Sequence, residues 1–535
     1  MPDAPQSIRD RRLPLRVRVP STRGPAGPEA DAIPQDPGPA QRPARGRVGL
    51  PAAASPALIG GAAGLLAFLL VRRSLIDDAY ITLCYARNLA FHGQWALVAG
   101  HPANTATSPL NVLLLALATF VTRQPVLALG AVFAGTCAGF TAALDGLFGR
   151  LGLRRGGAVC TALLVIADPL LLSTVGMEVM LVLLITVLLL RAALDGRPVR
   201  AGLLVAAMVL TRPDGAVIAL VLLLAVPAAR RRAALSAAVA VAAALPWYLF
   251  SWIVLGAALP DSLVIKMTEN GWNGAVFGNG LYLYFQRMPA AVAVSLAAAV
   301  LGLLWTLPAL MRREAAGTWR RPLLALALAA AAHFAALALA APEPFHWYYG
   351  PSVGLATLVF GGLCSRPIAG ALRVELASAL LCALAAAVAF DAAWGLPWQV
   401  APIATNWATS AAYTKAGTQL GPALDGAAVR SPGEVGELAY FCDCDLVDAF
   451  SDRGVFLADL AAWEHQGGTL RHLFVEVDYL FADRQQRPQS TPYALEVVSR
   501  PAPGLPHWAV GTPWTRYTMP GRRFLELTPL GLPGG

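Results

Sequence analysis

Long apolar runs, separated by short polar or basic punctuation, dominate the middle of the chain. A bilayer core about 30 Å thick takes roughly 20 apolar helical residues. The runs predict transmembrane helices at about 52–72, 126–149, 157–175, 177–193, 199–212 and 214–229. Further spans are expected at about 233–255, 288–310, 322–341, 348–364 and 370–392. Residues 1–49 are rich in Pro, Arg, Ala and Gly and read as a disordered tail. Residues 394–535 regain charge, and Pro and Gly break up their apolar runs. There Leu473-Phe474-Val475-Glu476-Val477-Asp478 alternates like a strand. The expected fold is a polytopic α-helical membrane domain at 50–393, with about eleven spans, followed by a small exterior α/β domain at 394–535.

Composition agrees with this pattern. The 535 residues are 56% hydrophobic and 14% charged, against about 25% charged in soluble proteins. The formal net charge of +9 lies in short clusters rather than on one face. These are Arg150/Arg154/Arg155, Arg191/Arg197/Arg200, Arg230/Arg231/Arg232, Arg312/Arg313/Arg320/Arg321 and Arg366/Arg373. Such spacing marks cytoplasmic loops and argues against nucleic acid as a partner. The tail adds Arg9, Arg11, Arg12, Arg16, Arg18, Arg42, Arg45 and Arg47, which places the N-terminus in the cytoplasm. The tail is too long for a typical signal peptide, so the first span reads as retained. An odd number of spans then leaves the C-terminal domain outside a plasma (inner) membrane. Leu110 to Val121 is apolar but too short to cross and reads as a re-entrant or juxtamembrane helix.

In this topology the unusual polar residues gather on the exterior face. The first outer loop, 73–125, holds Asp77, Asp78, Tyr80, Arg87, Asn88, His92, Trp95 and Asn104-Thr105-Ala106-Thr107-Ser108-Pro109. Later outer loops hold Gly176-Met177-Glu178, Thr211-Arg212-Pro213-Asp214-Gly215, Leu259-Pro260-Asp261-Ser262 with Lys266, and Pro342 to Tyr349. Arg72 and Arg73 break the positive-inside pattern. They either snorkel to headgroups or hold a lipid phosphate. Two adjacent carboxylates at the end of a membrane helix are costly, which marks Asp77 and Asp78 as candidates for chemistry.

The ordered run from Asp77-Asp78-Ala79-Tyr80-Ile81-Thr82 and Tyr85-Ala86-Arg87-Asn88-Leu89 to His346-Trp347-Tyr348-Tyr349 and Gly433-Glu434-Val435-Gly436 resembles bacterial GT-C superfamily glycosyltransferases. Thr107-Ser108-Pro109-Leu110, Gly176-Met177-Glu178, Leu210 to Gly215 and Leu259 to Lys266 match further family positions in order. Within that superfamily the chain resembles the cell-wall arabinofuranosyltransferases and their relatives. Asp261, where relatives often have Asn, and the segment Cys442-Asp443-Cys444 depart from the pattern.

The resemblance implies a hexosyl- or pentosyltransferase that takes a polyprenyl-phosphate-linked sugar, arabinofuranose among the candidates. It would pass that sugar with inversion to an envelope glycan, lipid or protein. A glycosyl phosphate already carries a good leaving group, so the chemistry chiefly needs a base for the acceptor hydroxyl. Asp77 is the first candidate and Asp78 the second. Arg212, Lys266, His346, Tyr348, Tyr349 and Arg73 are candidates for the donor phosphate, through the Arg fork, the Lys point charge or ring and hydroxyl donors. Glu178, Tyr80, Arg87, Asp214 and Trp347 are candidates for acceptor or sugar binding.

For each there is a plainer role. Arg212 can anchor a helix end beside Asp214, Lys266 can be a solvated loop lysine, and His346 to Tyr349 can be an interfacial aromatic belt. No cofactor is implied with certainty. If a divalent cation (Mg or Mn) is used, Asp77, Asp78 and Glu178 supply hard oxygens for it. The chain lacks His-Glu-x-x-His, a Walker loop and a Rossmann fingerprint, which argues against direct use of a nucleotide sugar. Trp394, Trp398, Trp407, Trp463, Trp508 and Trp514 suit either sugar stacking or core packing. A bridge between Cys442 and Cys444 would span one residue and is not expected. The rival class is a transporter or flippase of lipid-linked sugars. It is disfavoured because no internal repeat is visible and the polar residues gather on one face.

Overall fold

The computed structural model describes residues 54–530, apart from 269–271, 273 and 312–317. The tail 1–49 and the basic pair Arg312/Arg313 lie outside the described residues.

Most of the expected spans are helices within a few residues of the expected bounds. They run Ala54–Val71, Pro125–Arg150, Val179–Leu194, Pro198–Thr211, Ala233–Val254, Pro289–Met311, Arg320–Ala340, His346–Cys364 and Ala371–Gly395. Two are broken. In place of 157–175, helix Arg155–Ile166 stops and a four-residue helix Pro169–Leu172 restarts. Asp168 caps it by accepting the Leu170 and Leu171 N–H groups at 3.0 and 3.2 Å. In place of 214–229, Gly215–Ala225 ends at Val226, which is extended, and Pro227 begins a separate turn.

Five described helices are long and apolar enough to cross a membrane on length and composition alone. The eleven expected from hydropathy include shorter ones: Val179–Leu194 and Gly215–Ala225 have 16 and 11 residues. At about 1.5 Å per residue these fall short of the hydrocarbon thickness. Helix His346–Cys364 is the hub of the bundle. All of its residues except Tyr348 are buried.

The 73–125 segment contains two helices, Asp77–His92 and Pro109–Thr122. The second lies where the short apolar helix was expected and leaves Leu113, Leu117, Phe120 and Val121 exposed.

The last part of the chain carries a five-stranded sheet. Its strands are β1 (Val429–Arg430), β2 (Leu446–Val447), β3 (Tyr493–Val498), β4 (His507–Val510) and β5 (Arg523–Pro529). Their order is β2-β1-β3-β5-β4, with β1 parallel to both neighbours and β5 antiparallel to β3 and β4. Leu495, Trp508, Leu525 and Leu527 of the sheet share one apolar core with Tyr85, Trp95 and Val112 of the 73–125 segment. Each large side chain buried this way contributes about 1.5–3 kcal/mol. Trp398 and Trp514 are also buried.

The strand expected at 473–478 is instead the end of helix Thr469–Asp478. Val475 and Asp478 are its buried positions, three apart on one helical face, while Leu473 and Val477 are exposed. The apparent period of two came from apolar residues on both sides of an amphipathic helix. Cys442 and Cys444 are joined in a disulfide, contrary to expectation. Asp443 between them takes a left-handed backbone (φ 49°). This reverses the chain and brings the two Cα atoms to 5.1 Å, within the ordinary range for a bridge.

Candidate active site

Helix Asp77–His92 opens with two acidic residues in its first turn, where negative charge suits the helix N-terminus. Consecutive helical side chains diverge by about 100°, and Asp77 and Asp78 accordingly take different surroundings.

Asp77 turns inward and is 5% exposed. Its Oδ2 accepts the N–H groups of Val435 and Gly436 at 3.1 and 3.0 Å, and its Oδ1 accepts that of Glu437 at 2.7 Å. These donors open helix Gly436–Cys442, so the carboxylate occupies a helix-end anion site. A side chain at position 436 would overlap the Asp77 carbonyl oxygen. Burial pushes the Asp77 carboxyl up to about 6; the three N–H groups oppose that rise and the Asp78 charge adds to it. Two more carboxyls lie alongside, Glu437 buried and Glu434 half-buried. Glu434 accepts the Trp407 N–H at 2.9 and 3.0 Å and the Tyr413 hydroxyl. Glu437 accepts the Ser410 hydroxyl, and burial raises its carboxyl to about 8.

Asp78 turns the other way. Its side chain is 25% exposed and pairs with Lys266 Nζ at 3.5 Å. Lys266 stands on the short helix Ser262–Thr268, with Nζ 3.7 Å from the Phe345 ring centroid, 5.5 Å from that of Trp347 and 5.6 Å from that of Phe450. Phe345 and Trp347 stack at 4.6 Å. The ammonium therefore lies against aromatic faces with a carboxylate beside it, an arrangement that favours a cation.

The loop leading to Lys266 is fixed from two sides. Asn104 Nδ2 donates to the Ala257 and Leu259 carbonyls at 2.9 and 3.1 Å, while its own carbonyl accepts the Asp261 N–H at 2.7 Å. Asp478 accepts the Ala258 and Leu259 N–H groups, both at 3.1 Å.

A second charged group surrounds Arg212. Its Nε and Nη2 reach Asp214 at 2.9 and 2.8 Å, and its Nη1 reaches Glu178 at 2.8 Å. The guanidinium carbon is 5.2 Å from the Tyr348 ring centroid. Glu178 is 2% exposed, and its Oε2 has no partner among the described residues. Gly176 brings this strand of chain against the Asp-bearing helix. It has φ 106°, and a Cβ there would stand 2.5 Å from that of Ala79. Tyr348 links the two groups, within electrostatic reach of Lys266, Arg212, Asp78 and Asp214.

Asp78, Lys266, Trp347, Tyr348, Arg212, Asp214 and Glu178 therefore gather around one region. Other candidates do not point there. His346 is fully buried, with Nε2 3.5 Å from the Ser173 carbonyl. Tyr349 donates to the Phe277 carbonyl at 2.6 Å and stacks on that ring. Tyr80 meets the Tyr440 and Phe441 rings at 5.2 and 5.7 Å, and Arg87 donates to the Tyr440 carbonyl at 2.9 Å, so both hold the C-terminal segment. Arg73 is exposed at the end of the first helix. Asp77, Asp78 and Glu178 each engage a separate partner: the Glu437 N–H, Lys266 and Arg212. Among the described residues, the group of three close metal-ligand side chains is Glu464, His472 and Glu476, remote in sequence from these residues and largely exposed.

Two contributors were not singled out. Phe345 lies within the Pro342 to Tyr349 run without a role of its own, and Phe450 carries no motif. His333 is an ionisable residue inside an apolar helix, and that rarity was the available signal.

No protein-family model matches the chain, and no curated protein does. Solved structures do. ArnT from Cupriavidus metallidurans in the apo state superposes with a TM-score of 0.54 at 15% identity, covering 89% of this chain and 98% of that one. The same protein bound to undecaprenyl phosphate gives 0.51 at 15% identity, covering 91% and 100%. Arabinofuranosyltransferase AftD from Mycobacteria gives 0.44 at 17% identity, covering 74% of this chain and 33% of that one. The ArnT superpositions run over nearly the whole of both chains, and this protein shares the fold of ArnT.

Proposed function

We propose that this protein transfers a sugar from a polyprenyl-phosphate carrier to a cell-envelope glycan, lipid or protein at the exterior face of the membrane. Arabinofuranose is the first donor to try, because the sequence motifs resemble the arabinofuranosyltransferases. The observation that carries the proposal is the Asp78–Lys266 pair, held at 3.5 Å on the rim of an aromatic wall within a GT-C-like fold. One ArnT structure of that fold holds undecaprenyl phosphate.

In this reaction the acceptor hydroxyl oxygen bonds to the anomeric carbon, and the carbon–oxygen bond to phosphate breaks. The bonding electrons leave with the polyprenyl phosphate, and the hydroxyl proton passes to a carboxylate. Asp78 is the proposed base, in preference to Asp77. Its carboxylate is partly open, whereas both oxygens of Asp77 are occupied by backbone N–H groups. Asp77 serves to hold the helix that carries Asp78. Lys266 and Tyr348 are proposed to receive the leaving phosphate, with Arg212 behind them. Glu178, with one buried oxygen free of partners among the described residues, is proposed to bind a sugar hydroxyl.

The test is transfer of radiolabelled sugar from purified polyprenyl-phosphate donors to envelope extracts by the reconstituted protein. Asp78→Asn should cut transfer by about 10²–10⁴. Full activity in that variant would remove the base assignment. Movement of the lipid-linked sugar across the bilayer without transfer would identify a flippase instead.

A further inference from the structure

His333 lies in the apolar helix Arg320–Ala340, fully buried, where an ionisable side chain is costly unless it serves a purpose. Its ring bridges two partners. Nε2 is 3.1 Å from Asp214 Oδ2, and Nδ1 is 2.8 Å from Ser352 Oγ on the hub helix His346–Cys364. An ionised carboxylate only accepts, so Nε2 carries the hydrogen whichever charge the ring bears. The same Asp214 oxygen takes Arg212 Nη2, and its other oxygen takes Arg212 Nε.

A continuous row thus runs from Ser352 through His333, Asp214 and Arg212 to Glu178. Its members come from helix His346–Cys364, helix Arg320–Ala340, the turn between Pro198–Thr211 and Gly215–Ala225, and the N-cap of Val179–Leu194. The fork of Arg212 must lie in the plane of Asp214 to keep both hydrogen bonds. Asp214 is on a turn, 20% exposed at its side chain, and among the described residues its carboxylate is held by His333 and by Arg212 itself.

We propose that His333 is a positioning residue that sets Arg212 for the leaving lipid phosphate by orienting Asp214. This rests on the reading that Arg212 belongs to the phosphate site. Ligands around a bound group are commonly oriented by such outer partners, whose loss weakens binding.

The experiment measures the affinity of the full chain in lipid nanodiscs for undecaprenyl phosphate. His333→Leu should weaken binding about tenfold, the scale of one buried hydrogen bond to a charged partner. His333→Gln can place an amide N–H near the Nε2 position and should stay within about twofold of the parent. His333→Asn, whose amide reaches only the Nδ1 position, should behave like Leu. A purely packing role would not separate Gln from Asn, so equal effects of the two overturn the proposal, even if His333→Leu does not fold. Arg212→Ala separates the two layers. If it binds as the parent does, the phosphate reading of Arg212 fails. If it loses binding while His333→Leu and His333→Asn retain it, only the role of His333 fails.

Discussion

Gly436 donates its backbone N–H to the Asp77 carboxylate at 3.0 Å across 359 positions of sequence. The contact joins the first acidic motif to the last glycine motif. Gly436 has no side chain there because a Cβ would overlap the Asp77 carbonyl oxygen. The relationship ties the C-terminal segment to the helix that carries Asp78.

Gly436→Ala should therefore destabilise the protein by about 1–3 kcal/mol, the range for forcing an atom into a filled site. Thermal unfolding in detergent measures it. Because the clash is with backbone, sugar transfer should fall along with stability. An unchanged melting temperature would mean that the two segments are not in contact.

Through Asp77, acid should stabilise the folded state relative to neutral pH, because protonation relieves the cost of burying its charge. The folded-state value near 6 lies above the ordinary 3.8, so this group's contribution is fully present below about pH 4 and is lost as pH rises through 6. The gap between the two values corresponds to about 3 kcal/mol. Asp77→Asn does not titrate, and it turns one amide N–H toward the backbone donors. The stability of the parent relative to this variant should thus decline between pH 4 and 6.5 in unfolding measurements. A constant difference across that range would contradict the burial of Asp77.

Lys266 and Asp78 should act as a unit. Lys266→Met should raise KM for the lipid donor, while Asp78→Asn should lower kcat by about 10²–10⁴, the scale of losing a general base. Since the two groups pair directly, the double variant should lose less than the sum of the single losses. Strict additivity in a double-mutant cycle would show that they do not share a site.

Reducing the Cys442–Cys444 bridge should have a mild effect. The bridge closes a very short loop, for which the chain-entropy account gives about 1–2 kcal/mol. Mass spectrometry of the alkylated protein, with and without reductant, should show two thiols appearing together. The Cys442→Ser/Cys444→Ser protein should melt only a few degrees lower. If alkylation labels both cysteines without reductant, the bridge is absent.

Gly176→Val should be among the more damaging single changes outside the charged residues. The position combines φ 106° with a close approach to Ala79, so a β-branched residue meets both backbone strain and a clash. Loss of transfer with retained folding would show that the approach of Glu178 to the Asp-bearing helix is needed for activity.

Sequence alone determined the run of apolar helices, because burial in lipid demands continuous hydrophobicity that any window along the chain records. It also marked Asp77, Asp78, Glu178, Arg212, Lys266 and the His346 to Tyr349 run as out of place. It could not tell the two aspartates apart. A shift of one residue turns a helical side chain by about 100°, and only the docking of Gly436 against the helix decides that Asp77 is enclosed while Asp78 meets Lys266. Nor could it separate Tyr348 from Tyr349, neighbours of one kind that face Arg212 and Phe277 respectively. The helix at 469–478 was misread because a short amphipathic stretch satisfies both periods until its packing partner is known. His333 joins Asp214 from one further helix and is itself held by Ser352 from another, and that meeting depends on how the helices pack rather than on any spacing along the chain.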